Sequence, residues 1–187
     1  MKDWKIAGAS AIALSIAVGV VGLAVYSGAY NIAADDPHSS TVYWLTSTIR
    51  ARSIAVRASN ITIPVDLSDP KRIAAGAAEY DEMCSGCHLA PGMEKTEISK
   101  GLYPKAAEFS RANDLTPAEK FWVMKHGIKM TGMPAWGPTH DDNLLWDIVA
   151  FMQKLPTLSP QEYQAIVKST AEGHNEMMMI RHGGVKD

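Results

Sequence analysis

Two cysteines and a histidine are the residues whose spacing points most directly to chemistry. Cys84 and Cys87 are the only two cysteines in the 187-residue chain, and His88 follows the second directly. In a C-x-x-C-H run, both thiols can add to the two vinyl groups of one haem while the adjacent imidazole reaches the iron. The run therefore predicts one covalently bound haem c.

Two other uses of this run are weighed against haem. A redox-active dithiol of the thioredoxin type needs a preceding strand in a βαβ unit, whereas the sequence on both sides has helical patterning. A structural zinc site needs two more ligands, and no second Cys or His pair stands at a suitable spacing. Covalent haem is therefore the favoured interpretation.

A second axial ligand for the iron is sought on the C-terminal side of the motif. Met133 is favoured because it lies in a loop rich in glycine and proline and is held extended by Pro134, while Trp136 can cover apolar haem edge. Met130 is the next choice, followed by an open site or a His-filled one. The remaining candidates are Met93, Met124, His126, His140 and Met152.

The N-terminal stretch has the length and composition of a membrane span. No charged residue occurs from 6 to 34, and a helix of 25 such residues extends roughly 37 Å, against a hydrocarbon core of about 30 Å. Lys2 and Lys5 place the short N-terminal end in the cytoplasm, so we expect the rest on the periplasmic side of a bacterial inner membrane. A cleaved signal peptide is the alternative, with the small residues 27 to 29 as its cleavage site.

The chain divides into four predicted parts. Residues 1–34 are the cytoplasmic stub and transmembrane anchor, 35–65 a periplasmic connector with an amphipathic helix, 66–156 the compact domain and 157–187 a C-terminal tail. The connector carries three arginines and no acid between Asp36 and Asp66, which suits a membrane surface or a partner protein. The tail combines histidine and methionine side chains that suit copper.

The compact domain is predicted to be all-helical. Its first helix begins at Ser68 or Asp69, next to Pro70. A middle helix opens with a capping box from residue 116 and stops near Gly127, and a last helix runs from about 141 to 155. Strand signals are weak throughout.

The C-x-x-C-H run, the sequence Gly132-Met133-Pro134 and the terminal helix around residues 147–152 together resemble a class I cytochrome c. The resemblance is to the membrane-anchored monohaem cytochromes of bacterial respiratory chains, and it covers residues 68 to 155. In that family the first helix carries a glycine and an aromatic residue that Gly76 and Tyr80 match. It crosses the C-terminal helix, where Phe151 matches another aromatic.

The resemblance also implies roles for the site residues. Cys84 and Cys87 become the thioether attachments, His88 the proximal iron ligand and Met133 the distal ligand. A proline carbonyl orients the proximal imidazole in the family, and Pro104 is the nearest match.

One-electron transfer is the function expected of such a protein. Ligation by His88 and Met133 gives a six-coordinate iron, and a thioether ligand favours Fe(II). The protein is then an electron carrier rather than an enzyme, either a shuttle or a subunit of a respiratory oxidase or dehydrogenase complex, with redox proteins as partners. A net charge of −2 gives the chain no positive electrostatic field that would attract nucleic acid, so nucleic acid is not expected as a partner. The alternatives are a haem enzyme, such as a peroxidase or a reductase of a small nitrogen oxide, and a haem sensor, both with a displaceable distal ligand.

Overall fold

The computed structural model describes residues 2–111 and 113–170, with side chains from residue 7 onward. Within these residues the protein is all-helical and contains no strand, as predicted. The chain separates into two units that divide between Asp36 and Pro37. The histidines and methionines of the tail, for which copper binding is an open alternative to having no function, lie outside the described residues.

The first unit consists of one long helix, α1 (Lys2–Tyr26). Its segment Ala7–Tyr26 has a mean hydropathy of 2.2, and its side chains are exposed along the whole length. By length and composition this segment can cross a membrane.

The second unit is built from short helices. They are α2 (Ser40–Ala58), α3 (Pro70–Glu79), a π-helical turn (Tyr80–Cys84), α4 (Ser85–His88), α5 (Glu97–Gly101), α6 (Pro117–His126), α7 (Asp142–Lys154), a 3-10 turn (Leu155–Thr157) and α8 (160–170).

Side-chain caps fix where the main helices begin, because they satisfy backbone N–H groups that have no partner inside the helix. The carboxylate of Asp69 accepts a hydrogen bond from the Lys71 amide, with Pro70 in the first turn of α3. Thr116 and Glu119 form a reciprocal capping box at the start of α6. The predicted starts of both helices are confirmed.

The crossing of α3 and α7 is the most extensive helix contact in the fold. Gly76 permits it, since a Cβ there would collide with the main-chain carbonyl of Asp147. The rings of Tyr80 and Phe151 lie 5.5 Å apart on the same contact, and both side chains are fully buried. The crossing implied by the resemblance is therefore present at the expected residues.

Two helices outside the region of resemblance also contribute to the packing. Ile54 and Ala58 of α2 are buried where that helix packs against α6. Tyr163 of α8 is fully buried, and its hydroxyl donates a hydrogen bond to the carboxylate of Asp81. Neither helix was predicted to belong to the core.

Candidate cofactor site

The second unit encloses a cavity of about 780 Å³. Its volume falls in the range of roughly 300 to 1,000 Å³ typical of small-molecule and cofactor sites. Cys84, Cys87, His88 and Met133 all lie on its walls, so the fold brings the four predicted site residues to one space. Most of the other lining side chains are apolar. They include Ile54, Leu102, Phe109, Leu115, Val123, Ile128, Trp136 and Met152.

The C-x-x-C-H segment is held in place by hydrogen bonds before and after it. α3 widens into the π-helical turn that ends at Cys84, a feature found frequently at functional sites. The Tyr80 hydroxyl donates to the carbonyl of Leu89 over 2.7 Å, and the Thr96 hydroxyl donates to the carbonyl of Gly86. These contacts fix the direction in which the two thiols and the imidazole project.

The two thiols are free and not joined in a disulfide. Burial raises the pKa of the Cys84 thiol to about 12. A dithiol of the thioredoxin type depends instead on a thiolate stabilised by a lowered pKa. In the described part of the chain, no group of three or more His, Cys, Asp or Glu side chains is placed to hold a metal ion, so the zinc alternative lacks its further ligands.

The His88 imidazole is oriented by a backbone carbonyl. Its Nδ1 lies 2.8 Å from the carbonyl oxygen of Ala107, and its ring stacks on Phe109 with centroids 4.7 Å apart. Because a carbonyl can only accept, Nδ1 carries the proton and Nε2 keeps its lone pair. Burial lowers the pKa of His88, against the opposing effect of the Ala107 hydrogen bond, and so favours the neutral form that binds a metal.

The expectation that Pro104 supplies this carbonyl is wrong. Pro104 lies on the cavity wall, but the acceptor is Ala107, three residues further along the chain. Every residue carries a carbonyl, so spacing from His88 did not identify which one turns toward the imidazole.

The loop that carries Met133 is fastened to the C-terminal end of α6. The last carbonyls of a helix lack partners within it, and here the Trp136 amide donates to the Met124 carbonyl and the Gly137 amide to the Lys125 carbonyl, both over 3.0 Å. α6 ends at Gly127, which has a positive φ of 65° as its predicted C-terminal cap. The loop thus completes the helix end rather than projecting from it.

Met133 itself is held by both of its backbone groups. Its amide donates a hydrogen bond to the Thr131 hydroxyl over 3.1 Å, and its carbonyl accepts one from the Ile128 amide over 3.1 Å. The side chain is partly buried and packs against the core. The thioether is consequently presented to the cavity from a fixed backbone.

The other candidate ligands fall into two groups. Met130 is 99% exposed at a positive φ, and neither His126 nor His140 lines the cavity. Met124 and Met152 do line it, and both are buried in the core as expected of helical methionines. Met93 is absent from the lining.

Several lining residues were missed by the sequence analysis. Met83 precedes the first cysteine, and the wall formed by α2 includes Tyr43, Ser47, Arg50, Ala51 and Ile54. Their spacing of three and four residues places them on one face of a helix, but the opposite face is also apolar, so the spacing does not show which face is buried. Lys120 of α6 was also missed, and its burial lowers its pKa.

The comparisons with known proteins assign the central part of the chain. Residues 71–152 match the family described as cytochrome c oxidase, cbb3-type, subunit III, and this stretch runs from the first turn of α3 into α7. No curated protein and no solved structure matches the chain. The matched region includes the C-x-x-C-H run and Met133. Residues 71–152 therefore form a class I c-type cytochrome domain, of a kind that uses haem for electron transfer.

Proposed function

We propose that this protein is a one-electron carrier with a single haem c in the 780 Å³ cavity. In this proposal Cys84 and Cys87 form the two thioether bonds, and His88 and Met133 are the axial iron ligands. The observation that carries the proposal is that all four side chains lie on the walls of one largely apolar cavity.

The chemistry of these side chains suits the proposed cofactor. Bound haem supplies an iron centre that alternates between Fe(III) and Fe(II) by one electron. The Ala107 carbonyl holds the Nδ1 proton of His88 and leaves Nε2 as the donor atom, the usual arrangement for a ligating histidine. The two backbone hydrogen bonds of Met133 hold the loop so that the thioether can bind the iron without a rearrangement of the loop.

Electron transfer is favoured over catalysis by what surrounds the distal ligand. A haem enzyme needs an open iron position and a nearby acid or base. His126, the exposed partner of Trp122, and His140, bonded to Thr139, are the histidines beyond His88 that follow the motif among the described residues, and neither lines the cavity. A haem enzyme or a haem sensor would require the Met133 thioether to leave the iron.

The carrier is further proposed to be membrane-anchored, with its haem domain in the periplasm. The apolar segment Ala7–Tyr26 supports the anchor, and the positive charges of Lys2 and Lys5 support its orientation. The matching family is described as an oxidase subunit. This favours a fixed place in a respiratory oxidase over a freely diffusing shuttle, with redox proteins as donor and acceptor.

The ligand set is tested on the full chain produced in a bacterium that ligates haem c. We expect a haemochrome spectrum of covalent haem, and a low-spin magnetic circular dichroism spectrum with the near-infrared charge-transfer band of Met-ligated Fe(III). Met133→Ala is expected to lose that band, and Met130→Ala, at an exposed neighbouring position, to keep it. A high-spin spectrum with ready CO binding in the unaltered protein would overturn the carrier and favour the enzyme or sensor.

The location is tested separately. A C-terminal alkaline phosphatase fusion is expected to be active and to stay with the membrane after a carbonate wash. Activity in the soluble periplasmic fraction would indicate a cleaved signal peptide instead of an anchor.

A further inference from the structure

We propose that α2 closes the haem cavity and that Arg50, together with Lys120 of α6, binds the two haem carboxylates. α2 lies outside residues 71–152, so this would be a part of the site that the cytochrome domain itself does not supply. The inference rests on the proposed haem in this cavity.

The first support is the way α2 is seated. One face of the helix lines the cavity through Tyr43, Ser47 and Arg50, and continues into the buried Ile54 and Ala58. The opposite face is exposed along its length, at Leu45, Ile49, Arg52 and Val56. Arg50 therefore lies on the face turned to the cavity, and Arg52 does not.

The second support is the charge on the cavity wall. The charged residues that line it are Arg50, Lys105 and Lys120, and no carboxylate of the described residues is among the lining groups. A haem carries two propionate carboxylates and no cationic substituent. The wall is thus complementary in sign to the proposed ligand.

The third support is that Arg50 and Lys120 lack partners. Neither makes a hydrogen bond or an ion pair with any residue that the structure describes. Lys120 is only 6% exposed as a residue and lines the cavity, but its ammonium nitrogen is itself accessible and so is open to a carboxylate in that space. By contrast, Arg57 on the same helix bonds to Ser53, and Arg72 pairs with Asp66 and Asp147.

The positions of haem substituents agree with this assignment. Haem carries its vinyl and propionate groups on opposite halves, so a haem linked through Cys84 and Cys87 would present its carboxylates to a part of the wall away from those cysteines. α2 and α6 pack against each other and carry Arg50 and Lys120. Both residues therefore lie on parts of the cavity wall that the cysteine-bearing segment does not form.

Cations beside the carboxylates have a measurable consequence. They hold the carboxylate pKa low and favour the more electron-rich Fe(II) state. Without them, we expect a lower reduction potential and a carboxylate that titrates in the neutral range. Protonation of that carboxylate removes negative charge, so the potential of such a variant should rise as the pH falls.

The experiment compares Arg50→Gln and Lys120→Gln with Arg52→Gln, in the full membrane-bound chain. The Arg52 variant loses the same charge from the exposed face of α2 and is the matched control. Reduction potentials are measured from about pH 5 to about pH 9, which covers the neutral range above the ordinary carboxylate pKa of about 4. We expect lower, pH-dependent potentials in the first two variants, and an Arg52 variant that follows the unaltered protein.

The other titratable groups on the cavity wall are present in all of these proteins, so they cannot cause a difference in pH dependence between the variants. They are Tyr43, Tyr80, Cys84, Cys87, His88, Tyr103 and Lys105. Arg50→Lys and Lys120→Arg retain the charge and are expected to restore both the potential and its flat pH profile.

The outcomes separate this inference from the proposed function. Covalent haem in every variant, with potentials of Arg50→Gln and Lys120→Gln equal to that of Arg52→Gln, would overturn the role of the two cations and leave the carrier intact. Absence of covalent haem from the unaltered protein would overturn the carrier itself. If Lys120→Gln does not fold, Arg50→Gln decides, because Arg50 is partly exposed.

Discussion

Gly127 and Met133 meet where α6 ends and the Met133 loop returns. A Cβ built on Gly127 would lie 2.9 Å from the Met133 carbonyl oxygen and 2.7 Å from the Ala135 amide nitrogen. The same carbonyl accepts the hydrogen bond of Ile128, the residue that follows the glycine. The position of Met133, the proposed iron ligand, therefore depends on Gly127, which does not line the cavity.

Gly127→Ala is expected to displace the Met133 loop. The residue has a φ of 65°, which strains an alanine, and the added methyl group collides with backbone rather than with a flexible side chain. We expect a loss of about 1 to 3 kcal/mol in unfolding free energy and a weaker Met-to-Fe(III) charge-transfer band. Urea titration and the near-infrared spectrum measure the two effects.

Gly101→Ala is the control for this substitution. A Cβ at Gly101 meets nothing within 4 Å, and the residue lies in α5. It is expected to leave the band unchanged and to alter stability by no more than about 1 kcal/mol. Equal spectra for the two variants would mean that the close approach at Gly127 does not position Met133.

Gly76→Ala tests the packing of α3 on α7. Its methyl group would overlap the Asp147 carbonyl, and both partners are helix backbone. Since neither helix can yield locally, we expect a loss of about 3 kcal/mol or more, the upper end of overpacking costs. Thermal and urea unfolding measure it against Gly101→Ala. A stability equal to that of the control would show that the helices separate at little cost.

The sequence contained enough to predict the elements whose signals are local. The capping box of Thr116 and Glu119, the cap at Asp69 and the C-terminal Gly127 were all recognised because each depends on residues within four positions. The crossing at Gly76 and Tyr80 followed from the resemblance. These features were confirmed by the structure.

The residues that were missed depend on contacts between distant parts of the chain. Ala107 was not identified because any carbonyl can accept from His88, and only the course of the loop selects one. The place of α2 on the cavity was missed because its two faces both carry apolar residues, so periodicity alone did not show which face is buried. Tyr163 was assigned to a tail, but it enters the core beside Phe151.

Tyr163→Phe is expected to destabilise the domain. The hydroxyl, which belongs to α8, donates a hydrogen bond to the carboxylate of Asp81, and Asp81 lies at the start of the turn that leads to the first cysteine. Removal of a hydrogen bond to a charged group costs about 1.5 to 3 kcal/mol, and the phenyl ring still fills the same space. Tyr163→Ala also removes the ring and should cost about 3 to 5 kcal/mol. Urea unfolding of both variants should preserve this order, and an unchanged stability in Tyr163→Ala would mean that α8 does not belong to the core.

Alkaline pH should unfold the domain through its two buried tyrosines. Burial raises the pKa of Tyr80 and of Tyr163 well above the ordinary tyrosine value, and the Asp81 carboxylate adds to the effect at Tyr163. The folded state then binds protons that the unfolded state has released, so the stabilisation is fully present below about pH 10 and is lost as the pH rises above it. Each tyrosine contributes up to about 1.4 kcal/mol per pH unit in that window. The unfolding free energy, followed by far-ultraviolet circular dichroism, should therefore fall less steeply with pH in Tyr80→Phe and Tyr163→Phe than in the unaltered protein, whereas identical slopes would show that these phenols ionise without unfolding the chain.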